Sequence, residues 1–417
     1  LNTDTLSISG VEGESSTLLF QTDQGDDNGD DWTITNTTAN KLTFNNDISG
    51  SVVELLSLTP HATAASSTAA FAGHVTIAGD LTITGALNLD AAITNTEDLS
   101  VSTTSNLGAA VTTSATQTYT GNAVISGNGG STAINLTAGG TGVTFSGTVA
   151  GDGSSNESLL VTGNAVFGNA DADSVTGLLD LDVTGTAAVN TTTITVAGAV
   201  DIGGTMTIGN GISTVIDTTS GTGNIELAAV TAGDAVGQNL ELDAGTNNDA
   251  DITIAGTVTN IDTLLITNAG QLTLGGAVAV DTLTITSGVD DVTWQTGGTI
   301  TNAVVLANTG FTKIGANGIT TIFTGGLTTV TGSSQEIGGI INAVDNNIVI
   351  SNGEAVTLNS NTTLSSIGAG ADGNDGDITL GGTVNSSTDN SDRNLTVNVG
   401  QGDFKISANA AIGGIAD

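Results

Sequence analysis

The octets DITIAGTV (residues 251–258), QLTLGGAV (271–278) and DITLGGTV (377–384) are copies of one pattern. Apolar residues occupy positions two, four and eight, threonine occupies position three, and glycine occupies position six. Alternation with a period of two is typical of a β-strand that has one buried face. The glycine interrupts this strand where a missing side chain lets the chain bend or a neighbouring backbone approach. The octet therefore predicts a strand, a corner and the start of a second strand.

The spacing of similar segments gives the length of the repeat. One octet begins at 251 and the next at 271, DTLLITNAG at 262 is followed by DTLTITSG at 281, and TGNAV recurs at 120 and 162. The first two offsets fit one repeat of about 20 residues, and the third fits two such repeats. A repeat of this length with three short strands is typical of a parallel β-solenoid, whose turns stack about 4.8 Å apart. We therefore expect an all-β fold, a right-handed parallel β-helix of roughly 17 turns.

The composition agrees with thin, repetitive β structure. Glycine accounts for 59 of the 417 residues, aromatic residues for 3% and charged residues for 11%, so the chain has few large side chains for a thick core. Four basic residues stand against 42 acidic ones, a net charge of -38. This balance excludes nucleic acid as a partner, because binding phosphates requires many cations. No cysteine is present, and no apolar run approaches the roughly 18 residues of a membrane span.

The sequence divides into three regions. Residues 1–57 are more acidic and richer in large side chains, which predicts a small N-terminal β cap or β-domain. Residues 58–70 contain the only proline and are predicted to form a linker or a short helix. Residues 71–417 have the uniform texture of the repeat and are predicted to form the solenoid.

The repeat region resembles large secreted bacterial β-solenoid proteins. GDITLGGTVNSSTDNSDRNLTVNVGQGDF (376–404) and LGAAVTTSATQTYTGNAVISGNG (107–129) are similar in texture to filamentous-haemagglutinin-like adhesins, autotransporter passengers and β-helical surface-layer or filament proteins. The resemblance implies an extracellular or cell-surface location and a structural, adhesive or matrix role. It carries over no catalytic residue.

Three acidic clusters are candidates for metal binding. Hard cations require several oxygen ligands, and alternate residues of a tight loop converge on one point. The spacing D-x-N-x-D or a close relative occurs in each cluster, which makes calcium the candidate ion. In a chain so rich in Asp and Asn, solvated turn residues are the alternative. The candidate ligands are Asp26, Asn28 and Asp30 in the first cluster, Asn169, Asp171 and Asp173 in the second, and Asp372, Asp375 and Asp377 in the third.

The sequence supplies little for catalysis. His61 and His74 are the only imidazoles, and no G-x-S-x-G motif lies near either. A polysaccharide-active β-helix enzyme remains an alternative, because such enzymes use paired carboxylates and these are plentiful here. It is a minor one, because lyases of this kind also use Arg or Lys and the chain has only four basic residues. Pairs of the type Thr-x-Thr, such as Thr82 and Thr84, suggest a flat ice-binding or sugar-binding face. Such a face requires the pairs to recur at one position of successive turns, whereas their intervals in the sequence are irregular, which favours ordinary strand formation.

These features together predict a non-enzymatic structural subunit of an extracellular, self-assembling filament, sheath or surface layer. The partner expected is a second copy of the chain in a head-to-tail homopolymer, with residues 1–8 donating a strand to its neighbour. An adhesin stalk that binds a host or neighbouring-cell surface, through a surface or glycan partner, is the alternative. No nucleic acid and no membrane span are expected.

Overall fold

The computed structural model describes residues 7–21, 31–46, 53–59, 68–71, 75–76, 79–127, 133–153, 157–218, 223–234, 237–245, 250–330, 334–350, 353–368, 375–386, 392–406 and 412. These residues form strands, turns and irregular segments and contain no helix. Consequently, no helix in the described ranges could cross a membrane. The chain separates into two compact units, Leu1–Asn169 and Ala170–Asp417.

The first unit begins with an antiparallel sheet and continues as a parallel solenoid. Its strands are β1 (Ser16–Gln21), β2 (Asp31–Asn36), β3 (Leu42–Asn46), β4 (Val53–Thr59), β5 (Thr68–Phe71), β6 (Val75–Thr76), β7 (Leu81–Ile83), β8 (Ala86–Leu89), β9 (Ile93–Thr96), β10 (Leu99–Val101), β11 (Ser105–Leu107), β12 (Val111–Thr113), β13 (Gln117–Tyr119), β14 (Ala123–Ile125), β15 (Ile134–Ala138), β16 (Val143–Phe145), β17 (Val149–Gly151), β18 (Leu159–Thr162) and β19 (Ala165–Phe167). Strands β1 to β5 pair antiparallel in chain order. From β5 onward each strand pairs parallel with the third strand after it.

The second unit is a parallel solenoid throughout its described residues. Its strands are β20 (Ser174–Leu178), β21 (Leu181–Val183), β22 (Ala187–Val189), β23 (Thr193–Val196), β24 (Val200–Ile208), β25 (Thr214–Asp217), β26 (Ile225–Ala232), β27 (Asn239–Asp243), β28 (Ile252–Ile254), β29 (Val258–Leu274), β30 (Val278–Trp294), β31 (Gly298–Ile300), β32 (Val304–Leu306), β33 (Thr312–Ile314), β34 (Thr320–Phe323), β35 (Leu327–Thr329), β36 (Gln335–Asn342), β37 (Ile348–Ile350), β38 (Val356–Ser365), β39 (Ile378–Leu380), β40 (Val384–Ser386), β41 (Leu395–Asn398) and β42 (Phe404–Ile406). The longer strands, such as β29 and β30, continue around corners from one side of the turn to the next.

The predicted all-β parallel solenoid is confirmed, and the small antiparallel N-terminal sheet fits the predicted cap. The turn is longer than the sequence suggested, about 22 residues, and the solenoid has about 13 turns rather than the larger number expected. Turn length varies along the solenoid. The partner of Leu81 in the next turn is Leu99, whereas the partner of Gln117 in the next turn is the more distant Val143. The octets at 251 and 271 lie on adjacent short turns, so their spacing underestimated the mean.

The spacing of the two TGNAV segments does not equal two turns. Ala123 of the first segment pairs with Val149, on one side of the turn. Ala165 of the second segment pairs with Val143, on a different side. The pattern therefore marks a corner rather than a fixed place in the turn.

Side chains that alternate inward form the core. The three apolar positions of the octet DITIAGTV, Ile252, Ile254 and Val258, are fully buried, as predicted. In the first unit the rings of Tyr119, Phe145 and Phe167 stack in successive turns with centroids 5.2 and 5.7 Å apart. Such in-register stacking gives each aromatic ring a partner in the adjacent turn.

The octet glycine forms the predicted corner. Gly276 lies between the end of β29 and the start of β30 and packs against the preceding turn. A Cβ atom on Gly276 would lie 2.1 Å from the carbonyl carbon of Gly256. In the following turn the hydroxyl of Thr296 donates to the carbonyl oxygen of Gly276 at 2.6 Å. Only glycine permits this approach of two backbones without displacement.

The segment 58–70 begins and ends in strands. Its first two residues belong to β4 and its last three to β5, which pair with each other. Residues 60–67, including the proline and His61, lie outside the described residues, and so does His74.

Candidate functional site

The predicted calcium ligands divide between described and undescribed parts of the chain. Asp26, Asn28, Asp30 and Asp372 lie outside the described residues. Within the residues that the structure describes, no group of three or more His, Cys, Asp or Glu side chains is placed to hold a metal ion. The five remaining candidates are therefore best understood from their hydrogen bonds.

Asp173 closes its own turn. Its backbone N–H donates to the carbonyl of Ala170 at 3.0 Å, and its carboxylate Oδ2 accepts the N–H of Ala170 at 3.1 Å. The carbonyl of Asp171 accepts the hydroxyl of Thr192 at 3.0 Å, while the side chain of Asp171 is exposed. Asn169, the last residue of the first unit, is also exposed.

Asp375 and Asp377 both cap the next turn of the second unit. Oδ2 of Asp375 accepts the backbone N–H of Gln401 at 2.8 Å. Oδ1 of Asp377 accepts the N–H of Asp403 at 2.8 Å, and its Oδ2 pairs with the ammonium of Lys405. The Lys405 hydrogen bond and the Asp403 N–H hold the pKa of Asp377 below its usual value. The structure thus gives these carboxylates a role in joining turns.

This capping is a general device of the fold. In each case an Asp or Asn stands directly before a buried residue of a strand. That strand residue has a register partner in the next turn. The Oδ1 atom of the Asp or Asn accepts the backbone N–H of the residue that stands directly before this partner. The pairs are Asp98 with Thr116, Asn122 with Thr148, Asp180 with Ala199, Asn224 with Asp251, Asp251 with Gln271, Asp291 with Phe311, Asn347 with Asp377, Asn361 with Asn394 and Asp377 with Asp403. We call these contacts the corner ladders. The charge-assisted hydrogen bonds that aspartate contributes are stronger than neutral ones.

Sequence reasoning did not identify the corner ladders, although a signal for them exists. The first position of the octet is aspartate in the copies at 251 and 377, immediately before an alternating segment. An Asx residue at such a place supplies an acceptor for a neighbouring backbone N–H. The abundance of Asp and Asn was instead assigned to solvated turns or to calcium.

One column of acids stacks in register in the second unit. Asp182 is the partner of Asp201, which is the partner of Glu226 in the following turn. Burial raises the pKa of Asp182 first, and repulsion from Asp201 and then Asp180 raises it further. Like charges opposite one another destabilise a sheet, so this column costs stability at neutral pH.

A flat double column of hydroxyl groups lies on one side of the first unit. The segments LTIT (81–84), LSVS (99–102), QTYT (117–120) and VTFS (143–146) occupy the same side of four successive turns, because Thr82, Ser100, Thr118 and Thr144 are partners in register. Each segment presents hydroxyls at its second and fourth positions. Two of these segments contain a Thr-x-Thr pair, Thr82 with Thr84 and Thr118 with Thr120, and the other two contain serine. Only the register of the strands reveals that their hydroxyls align in adjacent turns.

These eight hydroxyls make no hydrogen bond to another described residue, in contrast to neighbouring columns. On the next side, the amide of Asn106 donates to Asn88 at 2.8 Å and accepts the hydroxyl of Ser126 at 2.6 Å. The stacked rings of Tyr119 and Phe145 lie directly inside the hydroxyl column and support it. We call this surface the hydroxyl face. Its groups are available to bind ligands or ordered water.

The last described turn of the second unit exposes inward-facing side chains. Phe404 and Ile406 are partners of Ile378 and Leu380, which are fully buried, yet Phe404 is 37% and Ile406 is 39% exposed. Among the described residues, β41 pairs only with β38, and β42 pairs only with β39. Within the described chain, both strands therefore present a free backbone edge beside apolar side chains.

Comparison with known proteins finds no matching family model, no matching curated protein and no matching solved structure.

Proposed function

We propose that the chain is a non-enzymatic structural subunit of an extracellular filament, sheath or surface layer that assembles head to tail. The observation that carries the proposal is that, among the described residues, Phe404 and Ile406 are exposed beside the backbone edges of β41 and β42, which no described strand covers. Exposed edges of this type pair readily with strands of another chain. A contact between unlike ends does not close on itself unless its rotation forms a ring, so the expected product is a filament.

The distribution of polar groups supports a structural role. The corner ladders direct the Asp and Asn side chains to backbone groups of the adjacent turn rather than into a shared cavity. The hydrogen bonds then hold successive turns in register, as a stack of repeats that contact only their neighbours requires. The extracellular location is part of the proposal and rests on the resemblance of the repeat.

The net charge of -38 opposes contact between copies. We propose that salt or a divalent cation, with calcium as the candidate, screens this repulsion and favours assembly. The strand donated to the neighbour is residues 1–8, of which residues 1–6 lie outside the described residues. Ile8 is described and is 42% exposed.

The test substitutes these two exposed side chains. We expect Phe404→Ser with Ile406→Ser to give a folded monomer that does not polymerise, whereas the wild type forms filaments in negative-stain images and sedimenting polymers. Val305→Ser is the matched control, because Val305 is 48% exposed on the lateral surface of the same unit. Deletion of residues 1–9 tests the donated strand separately. Normal filaments from the Phe404 and Ile406 variant, or a wild type that stays monomeric at high concentration with calcium, would overturn the proposal.

The hydroxyl face favours a second candidate function, that of an adhesin stalk with a glycan partner. A flat array of free hydroxyls presents donors and acceptors at a spacing of about 4.8 Å along the solenoid, which suits a repeating polymer surface. The test measures retention on insoluble cellulose and chitin. Thr118→Val with Thr120→Val should abolish retention, and Thr112→Val, on another side of the same turn, should not. Equal retention of both variants would reject this function.

A further inference from the structure

We propose that a groove on the wall of the second unit binds the lysine side chain of a partner protein. The groove crosses three successive turns, at strands β25, β27 and β29. Its volume is about 310 Å³, at the lower end of the range for small-ligand sites. It involves neither the last described turn nor the hydroxyl face, so the inference is independent of the proposed function.

One column of side chains in the groove places a carboxylate between two apolar groups. Glu241 is the register partner of Val215 in the preceding turn and of Leu265 in the following turn. All three side chains are half-buried on the outer side of the sheet. Because turns stack about 4.8 Å apart, an apolar side chain lies on either side of the carboxylate. The column therefore suits a ligand that combines a positive charge with an aliphatic part.

The carboxylate of Glu241 has one oxygen left for a ligand. Its Oε1 accepts the hydroxyl of Thr267 at 2.8 Å, whereas its Oε2 makes no hydrogen bond to another described residue. The next carboxylate along the strand, Asp243, already accepts the amide of Asn268 at 2.8 Å and the N–H of Gly245 at 3.2 Å. Among the described residues that line the groove, Glu241 is the only charged one.

A second column supplies neutral oxygen atoms beside this carboxylate. It consists of Ser213, Asn239 and Thr263, of which Asn239 and Thr263 are register partners. The amide nitrogen of Asn239 donates to the hydroxyl of Ser213 at 3.2 Å, which leaves the amide oxygen as an acceptor. An ammonium group has three donors and no acceptor. The carboxylate of Glu241 and these neutral oxygens can together accept its hydrogens.

The same geometry selects lysine over other cations. Arginine binds a carboxylate best through two parallel hydrogen bonds, but Thr267 already occupies one oxygen of Glu241. A free diamine carries a second ammonium, for which the described lining holds no second carboxylate. A lysine side chain presents one ammonium on an aliphatic stem. Its stem can pack against Val215 and Leu265 while its ammonium meets Glu241.

The lysine comes from another protein, because the lysines of this chain are already paired. Each of the three pairs with a carboxylate of its own chain, Lys41 with Glu54, Lys313 with Glu336 and Lys405 with Asp377. Lys313 illustrates the proposed contact, since its ammonium lies 2.8 Å from the carboxylate of its register partner in the next turn. A net charge of -38 also attracts basic proteins.

Methyl NMR spectroscopy of the full chain tests the site. The labelled methyl groups of Val215 and Leu265 report binding, and Val349, on the same side of a later turn, is the reference. Phe404→Ser and Ile406→Ser are included so that polymers do not broaden the spectra. The probe is Nα-acetyl-lysine N-methylamide, and the control ligand is its norleucine analogue, which keeps the stem without the ammonium. We expect saturable shifts at the groove, with the norleucine analogue binding about fivefold more weakly, as loss of an exposed ion pair predicts.

Two matched variants separate the groove from the general negative charge. Glu241→Gln keeps the shape of the side chain and should weaken binding of the lysine probe about fivefold. Glu226→Gln removes a carboxylate from an exposed position of the same unit and should leave binding unchanged. An unchanged Val349 signal confirms the fold of both variants.

Four outcomes would overturn the proposal. The first is equal binding of the lysine and norleucine probes, and the second is equal binding by Glu241→Gln and the parent. The third is a shift that does not saturate, which indicates non-specific attraction. The fourth is a different ligand, either putrescine bound more tightly than the lysine probe or cellotriose bound when the lysine probe is not. Filament formation is measured separately, so none of these results bears on the head-to-tail contact.

Discussion

Substitution of Asp291 separates the charge of an acidic residue from its role in a corner ladder. Oδ1 of Asp291 accepts the backbone N–H of Phe311 at 2.7 Å, one turn later. Asp291→Asn and Asp291→Ala both remove one negative charge, but only asparagine retains an oxygen acceptor. An unpaired, half-buried N–H costs about 1–2 kcal/mol. We therefore expect the alanine variant to be less stable than the asparagine variant by about that amount.

Trp294 provides the assay, because it is fully buried and lies in the same strand shortly after Asp291. Urea unfolding is followed by its fluorescence in a Trp32→Phe background, and hydrogen exchange reports the Phe311 amide directly. A difference of about 1 kcal/mol corresponds to about 2–4 °C in Tm for a unit of this size. At the exposed Asp234, alanine and asparagine should give equal stability. Equal stability of the two Asp291 variants, with unchanged exchange at Phe311, would refute the ladder mechanism.

Three further outcomes are expected. Asp182→Asn should raise Tm at pH 7 more than Asp234→Asn does, because the raised pKa of Asp182 means that the folded state loses stability as pH rises through that pKa. The difference in Tm between the two variants should shrink at pH 4, and a difference that does not depend on pH would contradict this. Gly276→Ala should lower stability by about 1–3 kcal/mol because its Cβ would meet the backbone of Gly256, whereas Gly79→Ala, with open space around it, should not. Chelation in low salt should lower Tm and dissolve polymers, and unchanged melting and assembly would reject the cation.

The alternation in the sequence was sufficient to predict the strands and their buried faces. Ile252, Ile254 and Val258 point inward because a strand places successive side chains on opposite sides, whatever it pairs with. The corner at Gly276 was predicted for a similar reason, since only glycine fits there. The hydroxyl face was not predicted, because its alignment depends on the register that pairs Thr118 with Thr144 in the next turn. The corner ladders were missed because each joins residues in different turns.

The sequence by itself determined the all-β class, the side chains that face inward, the corners and the strong negative charge. These properties follow from local geometry and composition, which each short segment carries independently. Only the tertiary structure decided which residues stack in adjacent turns, since Leu81 pairs with Leu99 but Gln117 pairs with the more distant Val143. It also decided that Phe20 and Trp32 of the N-terminal sheet are about half exposed. Alternation defines two faces of a sheet, but the surrounding chain determines which of them is covered.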